Sequence, residues 1–186
     1  MRAFKLTLFA FAAIIAWTAT ADALEVKKRR EAPGSPAEVW AIVGEFCAIK
    51  NWHPAVAECA ETKEGDEVFR TLTLKDGAKL KEKLTDKDDT SYSYAIIEGP
   101  LPVADYEATL RVGEDDEPDR VEIVWRAEFD AKGVSDEEAT KVISGIFNDG
   151  VTGIKKVAID AYDKREAAKG EPVSKGRDMS EDGDDD

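Results

Sequence analysis

The feature that most limits the fold is an apolar stripe at helical spacing near the C-terminal end. Val142, Ile143, Ile146, Phe147, Val151, Ile154, Val157, Ala158 and Tyr162 recur so that one face of a long helix carries them. The helix starts at Ser135, where Ser-Asp-Glu-Glu fits a capping box. Upstream the period changes to two, and alternation predicts strands near 56–63, 66–75, 78–86, 90–98, 104–113 and 119–130. Lys75-Asp76-Gly77, Asp86 to Asp89 and Glu114 to Asp119 are the polar turns between them. Glu98-Gly99-Pro100-Leu101-Pro102 is a rigid crossing between two strands. Before the strands, Leu24 to Ala32 reads as extended. Ser35-Pro36-Ala37-Glu38 then opens a shorter helix with a capping box and proline in its first turn. That helix carries Val39, Trp40, Ile42, Val43 and Phe46 towards a core, and Asn51-Trp52-His53-Pro54 ends it. Residues 24–165 thus form one domain, ordered strand, short helix, six strands, long helix.

Both ends differ from this middle. Arg2 and Lys5 precede a 12-residue run, Leu6 to Trp17, in which only Thr7 is polar. Ala21-Asp22-Ala23 follows, so residues 1–23 read as a secretory signal cleaved after Ala23, and the mature protein is expected in the periplasm. The apolar run is shorter than the roughly 20 residues of a membrane span. No later segment approaches that length, so no span is expected after processing. Residues 166–186 hold eight acids against three bases and end Glu-Asp-Gly-Asp-Asp-Asp, the composition of a disordered acidic tail. Asp178, Ser180, Asp182 and Gly183 match the opening of a calcium loop, but the acidic ligand at its twelfth position is missing. The whole chain carries a formal charge of −14. Such a balance disfavours nucleic acid and anionic membrane surfaces, and suits solubility or a cationic partner.

The element order, the segment Ser35-Pro36-Ala37-Glu38-Val39-Trp40-Ala41-Ile42-Val43-Gly44-Glu45-Phe46 and the long last helix resemble the START/Bet v 1-like (SRPBCC) superfamily. Within it, the chain resembles the polyketide cyclase/dehydrase-like branch and its exported MxaD-type members, accessories of periplasmic methanol oxidation. Asn51-Trp52-His53-Pro54-Ala55, Arg70-Thr71-Leu72-Thr73-Leu74 and Gly99-Pro100-Leu101-Pro102-Val103 carry that likeness, which spans roughly residues 25–162. The resemblance implies an α+β helix-grip fold, a curved antiparallel sheet wrapped around the long C-terminal helix with a cavity between them. It also places Trp52 and His53 on a loop at the cavity rim, with a gating or packing role.

Strand phase points to candidate binding residues. Arg70 shares a face with Val68, Leu72 and Leu74, and Glu82 shares one with Ala78, Leu80 and Leu84. Buried charges need partners, so an Arg70–Glu82 pair in the cavity, orienting a polar ligand group, is expected. Bulged or edge strands would instead leave both in solvent. Tyr92 and Tyr94 lie on one face, Tyr106 on a second and Trp125 on a third. Turned inward, they line an aromatic cavity with hydroxyl handles; plain core packing explains them equally. Gly145, Gly150 and Gly153 in the last helix either leave room for a ligand or allow close contact with the sheet.

His53 is the only histidine, and no second ligand for zinc stands near it. The chain has no phosphate loop, CxxC motif or nucleophile–base constellation, so neither a catalytic residue nor a cofactor is assigned. Cys47 and Cys59 are the only cysteines. In an oxidising compartment they are expected to pair, the alternative being two buried thiols. Three functions follow. The first is an exported, non-catalytic protein that binds a hydrophobic or aromatic small molecule. The second is an accessory docking on a periplasmic redox protein, a dehydrogenase or cytochrome. The third is a cyclase or dehydratase using tyrosine, Arg70 and Glu82.

Overall fold

The computed structural model describes residues 23–170. Seven strands form one antiparallel sheet: β1 (Leu24–Pro33), β2 (Val56–Glu64), β3 (Glu67–Leu74), β4 (Lys79–Lys87), β5 (Ser91–Glu98), β6 (Val103–Glu114) and β7 (Arg120–Ala131). Their order across the sheet is β1-β7-β6-β5-β4-β3-β2. The six later strands are a meander, and β1 closes it by pairing with β7 from Leu24↔Phe129 to Pro33↔Arg120. Each predicted strand limit lies within one residue of the observed one. Turn chemistry explains this: Gly77, for example, takes φ +88 after β3, a conformation that favours glycine.

Helix α3 (Asp136–Ala168) lies against the concave face, as the helix-grip fold requires. The Ser35 and Ser135 side chains cap α1 (Pro36–Val43) and α3, each accepting from the N–H three residues on. Only at Ser35 is the box reciprocal, with Glu38 accepting from the Ser35 N–H at 3.0 Å. Of the expected stripe on α3, Ile143, Phe147, Val151, Ile154 and Ala158 are buried, and Val142, Ile146, Val157 and Tyr162 flank them half-buried.

Two expectations are corrected. The first helix is two helices, α1 and the single turn α2 (Ile49–Trp52), because α1 ends at Gly44. Within α1, Val39 and Val43 take the buried face, and Ile42 is 36% exposed. The boundary at 165 is early: α3 continues to Ala168, with Arg165 and Lys169 both paired to Glu166 across its last turn. Phe69 of β3 is buried, with Lys81 Nζ 4.6 Å from its ring centroid. The expected signal segment, apart from Ala23, and residues 171–186 of the acidic tail lie outside the described residues. Among the described residues no helix is long and apolar enough to cross a membrane.

Candidate functional site

Arg70 and Glu82 face each other across β3 and β4 in direct register, both on the concave side. Their side chains are 0% and 4% exposed, so the inward phase read from alternation holds. Arg70 Nε donates to Glu82 Oε2. Arg70 Nη1 donates to the Phe46 carbonyl at 2.5 Å and to the Tyr92 hydroxyl at 3.4 Å. The guanidinium also stands 4.1 Å from the Phe46 ring centroid and 4.9 Å from that of Tyr94, an aromatic cage that compensates part of its desolvation. Nη2 has no partner. Burial pushes the Glu82 carboxyl above its ordinary value, and Arg70 pulls back part of that rise. Burial works against the Arg70 charge too, but Glu82, Tyr92 and Tyr94 outweigh it, so Arg70 stays charged.

Beside the pair lies a cavity of about 70 Å³ between α3, α2 and strands β3 to β7. Leucine, isoleucine and aromatic side chains make most of its wall. Glu82, Tyr94 and Tyr106 give it a polar end. Trp125 Nε1 donates to the Tyr94 hydroxyl at 3.1 Å, and the Tyr94 and Tyr106 hydroxyls are 3.5 Å apart. Burial raises both phenols above their ordinary value, so they remain protonated donors. His53 also lines the wall, but its nitrogens are occupied. The Ala55 N–H donates to Nδ1 at 3.2 Å, which puts the proton on Nε2, 3.1 Å from the Ile146 carbonyl of α3. Burial holds its pKa below the ordinary value, so the ring is neutral at pH 7 and shows the cavity carbon rather than a free nitrogen.

Two glycines let α3 sit close enough to complete this wall. A Cβ on Gly153 would fall 1.9 Å from the Trp52 carbonyl oxygen, and one on Gly150 would fall 2.2 Å from the Trp125 ring. Close contact is therefore their role, whereas Gly145 faces open space and serves neither purpose. Trp125 stacks on Phe147 at 4.4 Å between centroids, and Trp52 meets its edge at 5.6 Å. The Cys47–Cys59 disulfide is formed, with Cα atoms 5.5 Å apart. It joins the turn between α1 and α2 to β2. Between its two ends lie four residues of the cavity wall, Ile49, His53, Ala55 and Val56.

Of the eight residues singled out from sequence, His53, Glu82, Tyr94, Tyr106 and Trp125 reach the cavity. Arg70 and Tyr92 stand behind Glu82 as its support, and Trp52 packs between Trp125 and α3 with its Nε1 unpartnered. The Phe46 carbonyl, the closest acceptor of Arg70 after Glu82, carries no sequence signal, because any residue supplies a carbonyl. Leu101 and Pro100 also reach the wall from the crossing between β5 and β6, whose prolines marked it as rigid without showing where it lands. Among the described residues no group of three or more His, Cys, Asp or Glu side chains is placed to hold a metal ion.

With this geometry in hand, the relatives can be placed. A family model described as polyketide cyclase/dehydrase and lipid transport matches residues 23–158. The protein XoxI from Bacillus cereus is 31% identical, with a TM-score of 0.69 over 74% of this chain and 97% of that one. A Bacillus thuringiensis protein is 30% identical, with a TM-score of 0.69 over 74% of this chain and 100% of its own. At 13% identity, the Zhui aromatase/cyclase from Streptomyces sp. R1128 shares the fold, with a TM-score of 0.62 over 81% of this chain and 99% of that one. No curated protein matches. The two Bacillus proteins are covered almost end to end, and the family match runs from β1 into α3, so the whole sheet and the cavity fall inside it. The chain belongs to the polyketide cyclase/dehydrase and lipid transport family, on a START-like helix-grip scaffold.

Proposed function

We propose that this is an exported, periplasmic protein that binds a hydrophobic or aromatic small molecule in the helix-grip cavity without transforming it. The observation that carries the reading is the cavity itself: a largely apolar wall with a few polar groups, the usual build of a small-molecule site. The lipid-transport part of the family's description supports binding, while its other part names enzymes. The state of the polar groups also supports binding. His53 has both nitrogens engaged and Arg70 is locked in its cage, so neither is free to act on a bound molecule. The apolar run before Ala23 and the cross-link between Cys47 and Cys59 support export, since disulfides persist in oxidising compartments.

At about 70 Å³ the cavity is under half the 150 Å³ that accommodates benzene in an engineered core, so a larger guest requires its walls to part. The test is titration of the full chain, purified after export, with N-phenyl-1-naphthylamine. Saturable fluorescence enhancement that is lost on Ile146→Trp, which fills the cavity, is expected. Unsaturable binding, or binding indifferent to Ile146→Trp, overturns the reading. Sequencing the N-terminus of the same material should find Leu24 first; a start at Met1 removes export.

The acidic balance favours a second reading, an MxaD-like accessory that docks on a cationic periplasmic dehydrogenase or cytochrome. Such a complex should form at low ionic strength and dissociate with added salt.

A further inference from the structure

We infer that the cavity selects a neutral molecule with a hydroxyl group, an alcohol or phenol, over a carboxylate or a plain hydrocarbon, through Glu82 and the Tyr94–Tyr106 pair. The inference rests on the binding function proposed above and specifies what that site takes. Its first support is charge balance. Arg70 and Glu82 are buried together and cancel. A carboxylate entering beside them adds an uncompensated negative charge facing Glu82, and an ammonium adds an uncompensated positive one. Either is costly in a dry site.

The second support is the stock of unused hydrogen-bonding capacity. Arg70 engages only Oε2 of Glu82, and no described residue bonds Oε1, although Glu82 forms part of the cavity wall. The wall thus presents a carboxylate acceptor. On the neighbouring strands, the Tyr94 and Tyr106 hydroxyls bring two O–H hydrogens. Their mutual contact uses one at most, and the Trp125 N–H fills acceptor rather than donor capacity on Tyr94. At least one O–H therefore remains to donate. A wall offering both an acceptor and a donor matches a group that donates and accepts at once, which a hydroxyl does. A hydrocarbon would leave both capacities unmet, at the cost that attends any buried unpaired polar group. His53 contributes nothing to this choice, because its nitrogens are already bonded.

The experiment compares phenol, toluene and benzoate on the full exported chain at pH 7, by titration followed in side-chain NMR signals of the cavity. Phenol and toluene are nearly equal in size, so any cost of parting the walls is common to those two. Phenol should bind about tenfold more tightly than toluene, the worth of one hydrogen bond to a charged group, and benzoate most weakly. Tyr106→Phe and Glu82→Gln should each reduce the preference for phenol over toluene several-fold, with toluene affinity little changed. Tyr106→Phe is informative even if Glu82→Gln fails to fold, because it leaves the ion pair intact. Toluene or benzoate matching phenol on the unmodified chain overturns the inference while leaving the binding function standing. An undiminished phenol preference in Tyr106→Phe overturns it as well. Failure of all three probes to bind overturns both.

Discussion

Two Arg–Glu pairs in this molecule are alike in chemistry and opposite in setting. Arg70–Glu82 joins adjacent strands with side chains 0% and 4% exposed, whereas Arg165–Glu38 joins α3 to α1 with side chains 32% and 48% exposed. Water supports either partner of the outer pair when the other is gone. No water replaces a lost partner of the inner one, and Arg70 alone would keep only the Phe46 carbonyl, the Tyr92 hydroxyl and its aromatic cage. The comparison teaches that an ion pair's worth lies less in the attraction between its members than in what surrounds them when it is broken.

The largest effect that tests this contrast is removal of one inner partner. Arg70→Ala and Glu82→Ala should each destabilise the fold by about 3–5 kcal/mol in urea unfolding, because each strands a buried charge. Replacing both, with Arg70→Met and Glu82→Leu together, should recover much of that loss. Two mild single variants would break the comparison, since the inner pair would then behave like an outer one. The same dependence on surroundings should separate two glycines of α3. Gly153→Ala drives a methyl into the Trp52 backbone and should cost about 1–3 kcal/mol, while Gly145→Ala meets nothing and should gain up to about 1 kcal/mol in helix propensity.

Titration sharpens the contrast further, because the two glutamates shift in opposite directions. Burial raises the folded Glu82 carboxyl above 4.5, so the folded chain holds that proton more tightly than the unfolded chain does. Its contribution is full below the unfolded value and is lost as pH rises through the raised one. Glu38 is lowered to about 2, first by its hydrogen bond with Arg165 and then by those with Ser35. Its contribution is present above 4.5 and is lost as pH falls toward 2. Measured against Glu82→Gln, the unmodified chain should lose relative stability as pH rises above 4.5; against Glu38→Gln it should gain as pH rises from about 2 to 4.5. Differences that move in the same direction would refute the assignment. The smallest effect is Arg165→Ala, expected to cost under about 1 kcal/mol and to shrink with salt.

Why the inner pair was legible in the sequence and its setting was not follows from range. Alternation has a period of two, so Leu72 and Leu80 suffice to place Arg70 and Glu82 on the same side as the core. The register shifts that β4 makes with β5 leave that side unchanged, as Leu80 and Glu82 are both buried. Tyr94, Tyr106 and Trp125 were placed by the same rule. What alternation cannot carry is the meeting of elements far apart along the chain. The Phe46 carbonyl lies 24 residues from Arg70. The stop of α1 at Gly44 precedes a turn that the disulfide ties to β2, another contact between separate elements. The use of Gly150 and Gly153 as contact points was one of two open readings, and only the positions of Trp125 and Trp52 decide it.

The disulfide has a consequence for how anything could enter. Ile49, His53, Ala55 and Val56 belong to a loop pinned at both ends by Cys47 and Cys59, and His53 fastens its middle to the Ile146 carbonyl. A covalently closed loop has few conformations to exchange among, so that side of the cavity behaves as a fixed jamb. Leu101 and Pro100 on the far side belong to a crossing with no such cross-link. The crossing between β5 and β6 is held by its prolines but by no covalent tie, so exchange rates should respond to substitutions at Leu101 more than to any made between the two cysteines.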